Sequence, residues 1–119
     1  MSPLLFVGAG LAGGVGAVLR YLVDLGVAKA VGRRFPWGIL IVNLSGSFAL
    51  GMVTAALPSE AFLLGAGLLG GYTTFSTAML DTVLLWHDGE RRASVVNAVG
   101  MLLLGLLFAG LGLALGSVL

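Results

Sequence analysis

Apolar residues run along this chain in long uninterrupted blocks rather than in the short alternations of a soluble fold. Residues 1–19, 35–59, 61–80 and 93–119 hold no Asp, Glu, Lys or Arg. Each block reaches or approaches the roughly 20 residues with which a helix crosses about 30 Å of hydrocarbon. The pattern predicts an all-α membrane protein with four spans, at 4–25, 37–57, 61–86 and 93–118, forming one domain over 1–119.

In the first span Gly8, Gly10, Gly13, Gly14 and Gly16 are interleaved with Ala9, Ala12 and Ala17. Small residues let backbones approach closely in lipid, where apolar burial does not drive helices together. Arg20 and Asp24 follow at i, i+4, and then Lys29, Arg33 and Arg34. Pro36 and Trp37 mark an interfacial restart, since Pro suits a first helical turn and Trp the headgroup level. In the second span Asn43 and Ser47 share a face. The turn at Pro58, Ser59 and Glu60 is short enough to make the second and third spans antiparallel neighbours. The last span has one strongly polar residue, Asn97, expected to bond a neighbouring helix.

The third span is unusual at its centre, which reads Gly70, Gly71, Tyr72, Thr73, Thr74, Phe75, Ser76, Thr77. Paired glycines followed by hydroxyl residues are poor helix formers, and carbonyls freed in hydrocarbon must find other partners. This predicts a break near the bilayer midplane. Discontinuous helices expose carbonyls and half-helix ends that hold small ions. The alternative is a continuous helix whose hydroxyls bond back to the i−4 carbonyls.

Composition narrows the chemistry. With 59% hydrophobic and 9% charged residues, the four spans leave only turns, so function must be performed within the bilayer. There is no Cys, which removes disulfides and thiol chemistry, and His87 is a lone histidine in a polar turn. No carboxylate pair, activated nucleophile or metal cluster lies in the spans, so an enzyme is not expected. A net charge of +1 offers nucleic acid no basic field. No Lys or Arg precedes the first apolar run, so a signal peptide is not expected.

Charge placement predicts an orientation. An even number of spans puts both termini and the turn at 58–60 on one side, with Glu60 and no Lys or Arg. The other side carries Lys29, Arg33, Arg34, Arg91 and Arg92. The positive-inside rule then places the basic turns in the cytoplasm and both termini outside the cell membrane.

Three segments together resemble the CrcB, or Fluc, family of small four-helix fluoride channels. They are Gly13-Gly14-Val15-Gly16-Ala17-Val18-Leu19-Arg20-Tyr21, the run from Pro36 through Asn43 and Ser47 to Phe48, and Gly70-Gly71-Tyr72-Thr73-Thr74-Phe75-Ser76-Thr77. They occur in order, and the resemblance covers essentially the whole chain. It implies an antiparallel dual-topology dimer with two pores, in which broken third helices cross and hold a structural sodium ion. By motif match, the backbone carbonyls of Gly70 and Thr73 would bind that sodium. Asn43 and Phe75 would line a pore with Ser76 and Thr77, Ser47 sharing the Asn43 face, and Arg20 would sit at the aqueous vestibule. The physics is coherent. Fluoride is strongly hydrated, so a pore must replace its water with donors such as the Asn43 amide and the Ser76 hydroxyl. Phe75 can present a positive ring edge, and a buried cation favours a nearby anion.

Four positions depart from the family pattern. Ala78 stands where a second Phe is common, Ile39 where a Thr is common, and Met101 and Gly105 where hydroxyl residues are common. These losses, joined to the one-sided Lys and Arg, suggest one subunit of a heterodimer, paired with an oppositely oriented homologue and carrying one degenerate pore. A weakly or non-conducting partner subunit is one alternative. A small drug–proton antiporter is another, but it needs an intramembrane carboxylate, and Asp81 lies close to the interfacial Trp86.

Overall fold

The computed structural model describes residues 2–119 and is all-helical there. Helix α1 spans Pro3–Val31 and α2 spans Trp37–Ala56. A short 3-10 turn at Pro58–Glu60 leads into a π-helix, Ala61–Leu69, which tightens into the single turn α3, Gly70–Tyr72. Then come α4, Phe75–His87, and α5, Arg91–Ser117. Among the described residues, α1, α2 and α5 are each long and apolar enough to cross a membrane.

The helix bounds follow local chemistry. Ser2 caps α1, its hydroxyl accepting from Leu5 N at 3.1 Å, with Pro3 in the first turn. The helix runs past the expected end near 25 to Gly32, whose φ of 82° terminates it. Arg20 and Asp24 do not stop it, because charged residues are compatible with a helix once it leaves the hydrocarbon. Asp24 pairs with Arg33 at 3.5 Å rather than with Arg20. At the α4–α5 turn, Gly89 has φ 84° and the Arg91 guanidinium lies 4.9 Å from the Trp86 ring centre. That cation–π contact anchors an interfacial corner.

Two parallel helix pairs organise the bundle. Helix α1 packs along the π-helix and α3, and α2 packs along α5, the most extensive interface in the fold. Both seams are backbone to backbone. A Cβ on Gly16 would strike the Leu68 carbonyl, and one on Gly71 the Gly13 carbonyl. In the second seam a Cβ on Gly51 would meet the Ala109 carbonyl and one on Gly112 the Phe48 carbonyl. Such approach gains dispersion contacts that lipid tails cannot supply. Helices α4 and α5 form an antiparallel hairpin. The Ser94 hydroxyl donates to the Thr82 carbonyl at 2.6 Å, and Asn97 Nδ2 donates to Thr82 Oγ1 at 2.9 Å. Asn97 is fully buried and bonds α4, as a lone span Asn is expected to do.

Candidate functional site

The third stretch of the chain is not one regular helix. Gly70 and Gly71 remain helical, and the backbone becomes extended at the hydroxyl residues Thr73 (ψ 156°) and Thr74 (φ −147°, ψ 122°). Thr73 Oγ1 does donate back to the Leu69 carbonyl at 2.9 Å, the bond of the continuous-helix alternative, yet the chain leaves the helix directly after it.

Asn43 on α2 holds this junction. Its Oδ1 accepts from Thr74 N at 2.9 Å, and its Nδ2 donates to the Thr74 carbonyl at 2.8 Å. The amide thus supplies the acceptor that Thr74 N loses by leaving the helix and adds a donor to the Thr74 carbonyl, which as N-cap residue also opens α4. Thr74, itself buried, then caps α4 by accepting from Thr77 N at 3.2 Å. The Thr74 hydroxyl also lies 3.1 Å from Thr77 Oγ1 and 3.4 Å from Ser76 Oγ.

These bonds decide which carbonyls are left free. Thr74 N, the ordinary i+4 donor to Gly70, is turned to Asn43. Thr77 N, the ordinary donor to Thr73, is turned to the Thr74 hydroxyl. The junction therefore leaves the carbonyls of Gly70 and Thr73 without their ordinary helical donors, as it does those of Gly71 and Tyr72. Gly70 is exposed in the single chain. Unpaired carbonyl oxygens at a helix interruption are a suitable donor set for a small hard cation.

A cavity of about 370 Å³ opens beside the junction, lined by Asn43, Ser47, Thr73, Thr74, Phe75 and Met101 among others. Phe75 is 78% exposed. Thr77 lies elsewhere, in a second cavity of about 320 Å³ with Asp24, Arg33 and Asp81. Ser76 is exposed and reaches Thr74, and Arg20 lines neither cavity. The structure thus brings Asn43, Ser47, Gly70, Thr73 and Phe75 to one cavity, joins Ser76 and Thr77 to it through the Thr74 hydroxyl, and leaves Arg20 apart.

Comparison with known proteins places the chain in a family. The family described as CrcB-like protein, Camphor Resistance (CrcB), matches residues 7–113. The chain belongs to the CrcB family. Among CrcB relatives, "Fluoride-specific ion channel FluC 1" of Leifsonia xyli subsp. xyli is 44% identical, over 98% of this chain and 90% of its own. "Fluoride-specific ion channel FluC 2" of Mycobacterium bovis is 46% identical over 94% and 90%, respectively. "Fluoride-specific ion channel FluC" of Rhizobium meliloti is 43% identical over 95% and 96%. The CrcB relatives are ion channels, not enzymes, and with several membrane-crossing helices the chain is a multi-pass membrane protein.

The departures from the CrcB pattern also acquire positions. Ala78, 1% exposed, and Met101 both line the cavity beside Asn43, whereas Ile39 lines the second cavity. Sequence reasoning missed the central part of Thr74. It also missed the bond between Ser45 Oγ and Tyr72 OH, 2.9 Å apart, which ties α2 to the last turn before the junction. A hydroxyl residue directly before a new helix was the available signal, because Thr is a favoured N-cap.

One prediction follows for the cap. Thr74→Val keeps the backbone bonds to Asn43 and removes the hydroxyl, so α4 should lose about 1 kcal/mol of stability, the typical value of an N-cap. Thermal unfolding in detergent measures it, and an unchanged midpoint would mean that the hydroxyl caps nothing of consequence.

Proposed function

We propose that this chain is a fluoride-selective, passive channel subunit in the cell membrane, which lets fluoride leave the cytoplasm down its gradient and so prevents its accumulation. The observation that carries this reading is the Asn43–Thr74 clamp. It interrupts the third span beside a cavity and leaves the second amide N–H with only a weak acceptor, the Met101 sulfur, which lines that cavity. An anion stripped of water needs such fixed donors, and an uncompensated ion in hydrocarbon is very costly. Phe75 at the cavity wall adds a ring with a positive edge. The names of the CrcB relatives supply the identity of the anion.

The released carbonyls of Gly70 and Thr73 support a structural sodium ion shared with a second, antiparallel copy at the crossing of two broken helices. The exposure of Gly70 and Phe75 in the single chain suits surfaces that a second copy would cover. When bound, the cation would raise the local potential for anions. Proteoliposomes loaded with fluoride should empty faster than protein-free liposomes, and an equal rate would defeat the channel reading. Replacing all sodium by N-methyl-D-glucamine from purification onward should lower that flux, and unchanged flux would remove sodium from the assembly.

A second reading, a heterodimer with one degenerate pore, is favoured by two specific observations. Ala78 and Met101 occupy the cavity wall where the family pattern has a ring and a hydroxyl. The Lys and Arg residues of the turns all lie on one side, which fixes a single orientation and puts both termini outside. A homodimer of antiparallel copies requires both orientations. Reporter fusions at the C terminus test this, because reporters found equally on both sides of the membrane would remove its main support.

A further inference from the structure

Asn43 has one oxygen and two N–H groups to satisfy. The oxygen accepts from Thr74 N, and one N–H is donated to the Thr74 carbonyl, so the junction itself uses two of the three. Nδ2 also lies 3.2 Å from the Met101 sulfur, which takes the remaining N–H. Met101 lines the same cavity from the α5 side. The one Asn43 group left for an anion is therefore already engaged, by a side chain of this chain.

We propose that the Met101 thioether is a displaceable plug, the group that an anion must push from Asn43 in order to bind there, and that it sets the fluoride concentration at which the pathway fills. This deepens the channel reading and rests on it. Two properties of the side chain fit the role. A thioether sulfur is a weak acceptor, so it keeps the N–H from being orphaned in the empty pathway but yields to a stronger one. Three rotatable bonds then let the side chain swing aside without moving α5. The α2–α5 backbone is held independently of Met101, by the close approach of Gly51 to Ala109 and of Gly112 to Phe48 further along the same parallel seam. Displacement of Met101 leaves the Asn43–Thr74 clamp intact, so the pathway can fill without unfolding the junction.

The decisive variants separate acceptor strength from bulk. Met101→Leu keeps the volume and removes the acceptor, and such swaps are well tolerated in packed sites. Met101→Ala removes both. If the sulfur competes with the anion, both variants should lower the half-saturating fluoride concentration of liposome flux, by about fivefold, the equivalent of one weak hydrogen bond. A purely steric obstruction would respond to alanine alone, and that result, or no change in either variant, overturns the plug.

A second measurement does not depend on flux. Asn occurs only at positions 43 and 97, so the side-chain amide signals of Asn-labelled protein in detergent are readily assigned. Met101→Leu should shift the Asn43 signals while leaving those of Asn97 in place. Unshifted Asn43 signals would overturn the plug, whether or not the protein conducts. Flux no faster than through protein-free liposomes in wild type and both variants, with the Asn43 signals shifted, would instead defeat the channel reading and leave the Asn43–Met101 bond established.

Discussion

Asn43→Asp should reduce fluoride flux by about two to three orders of magnitude while leaving a folded, membrane-inserted protein. The loss is expected in either protonation state of the new carboxyl group. Ionised, it can still accept from Thr74 N, but it places a negative charge where the anion must pass. A like charge at about 4 Å costs on the order of 4 kcal/mol at an effective dielectric constant near 20. Protonated, it reproduces the clamp, accepting from Thr74 N and donating to the Thr74 carbonyl, but it has no second donor to offer the cavity. Asn43→Ala behaves differently, because it leaves the buried Thr74 N–H without its acceptor. That unpaired group costs about 1–3 kcal/mol, so this variant should lose stability as well as conduction. Liposome efflux gives the first quantity, and size-exclusion recovery from detergent separates the two variants. Near wild-type flux in Asn43→Asp would take Asn43 out of the pathway.

The contrast between these variants shows which parts of the site were legible in the sequence. Asn43 was visible as a polar residue on an apolar face, one turn before Ser47, and that sufficed to mark it as a candidate. Its double bond to Thr74 was not visible, because it joins residues 31 positions apart and depends on how α2 lies against the junction. Sequence also weighed Met101 as a missing hydroxyl, whereas the structure shows it as a partner with its own bond to Asn43. Both cases are long-range contacts that no local pattern encodes. The location of the helix interruption shows the same limit on a smaller scale. Gly70 and Gly71 have low helix propensity, yet they stay helical because close packing against Gly13 requires the absence of a side chain at Gly71. The hydroxyl residues that follow carry the extended backbone, since Thr74 gains a cap and a clamp by leaving the helix.

Charge alone anticipated helices close to α2 and α5, because hydrocarbon excludes charges, whereas α1 runs on to Val31 and the third stretch is divided. The internal geometry of the spans was not legible from charge. The π-helix at Ala61–Leu69 sits in a run of apolar residues and glycines with no residue that specifies it. Its wider spiral, with Gly70 N donating to the Gly65 carbonyl, presents Gly67 and Leu68 to α1. Glycine content likewise announced tight packing without saying which glycine met which helix. The pairing is parallel, α1 with the π-helix and α2 with α5, so neither seam joins helices consecutive in the chain. Turn lengths alone favour sequential neighbours and could not reveal it.

This assignment of glycines yields the second large effect. Gly112→Ala should abolish folding, whereas Gly110→Ala, two residues away on the same helix, should be neutral or stabilising. At Gly112 a new Cβ would land on the Phe48 carbonyl oxygen, with the Phe48 carbonyl carbon at 2.9 Å and Met52 N at 3.0 Å. All three are backbone atoms of α2 and cannot swing away as a side chain would. Relief requires α2 and α5 to separate, which also pulls Asn43 from Met101 and loosens the wall of the cavity. Overpacking of this kind costs about 1–3 kcal/mol where side chains can adjust and more where they cannot, a large share of the 5–15 kcal/mol that stabilises a typical domain. At Gly110 a Cβ meets nothing within 4 Å, so the substitution gains up to about 1 kcal/mol of helix propensity. Equal recovery of the two variants in detergent would contradict the α2–α5 seam. Selective damage by Gly110→Ala would instead place that open face against a second subunit, because only another chain could supply the missing neighbour.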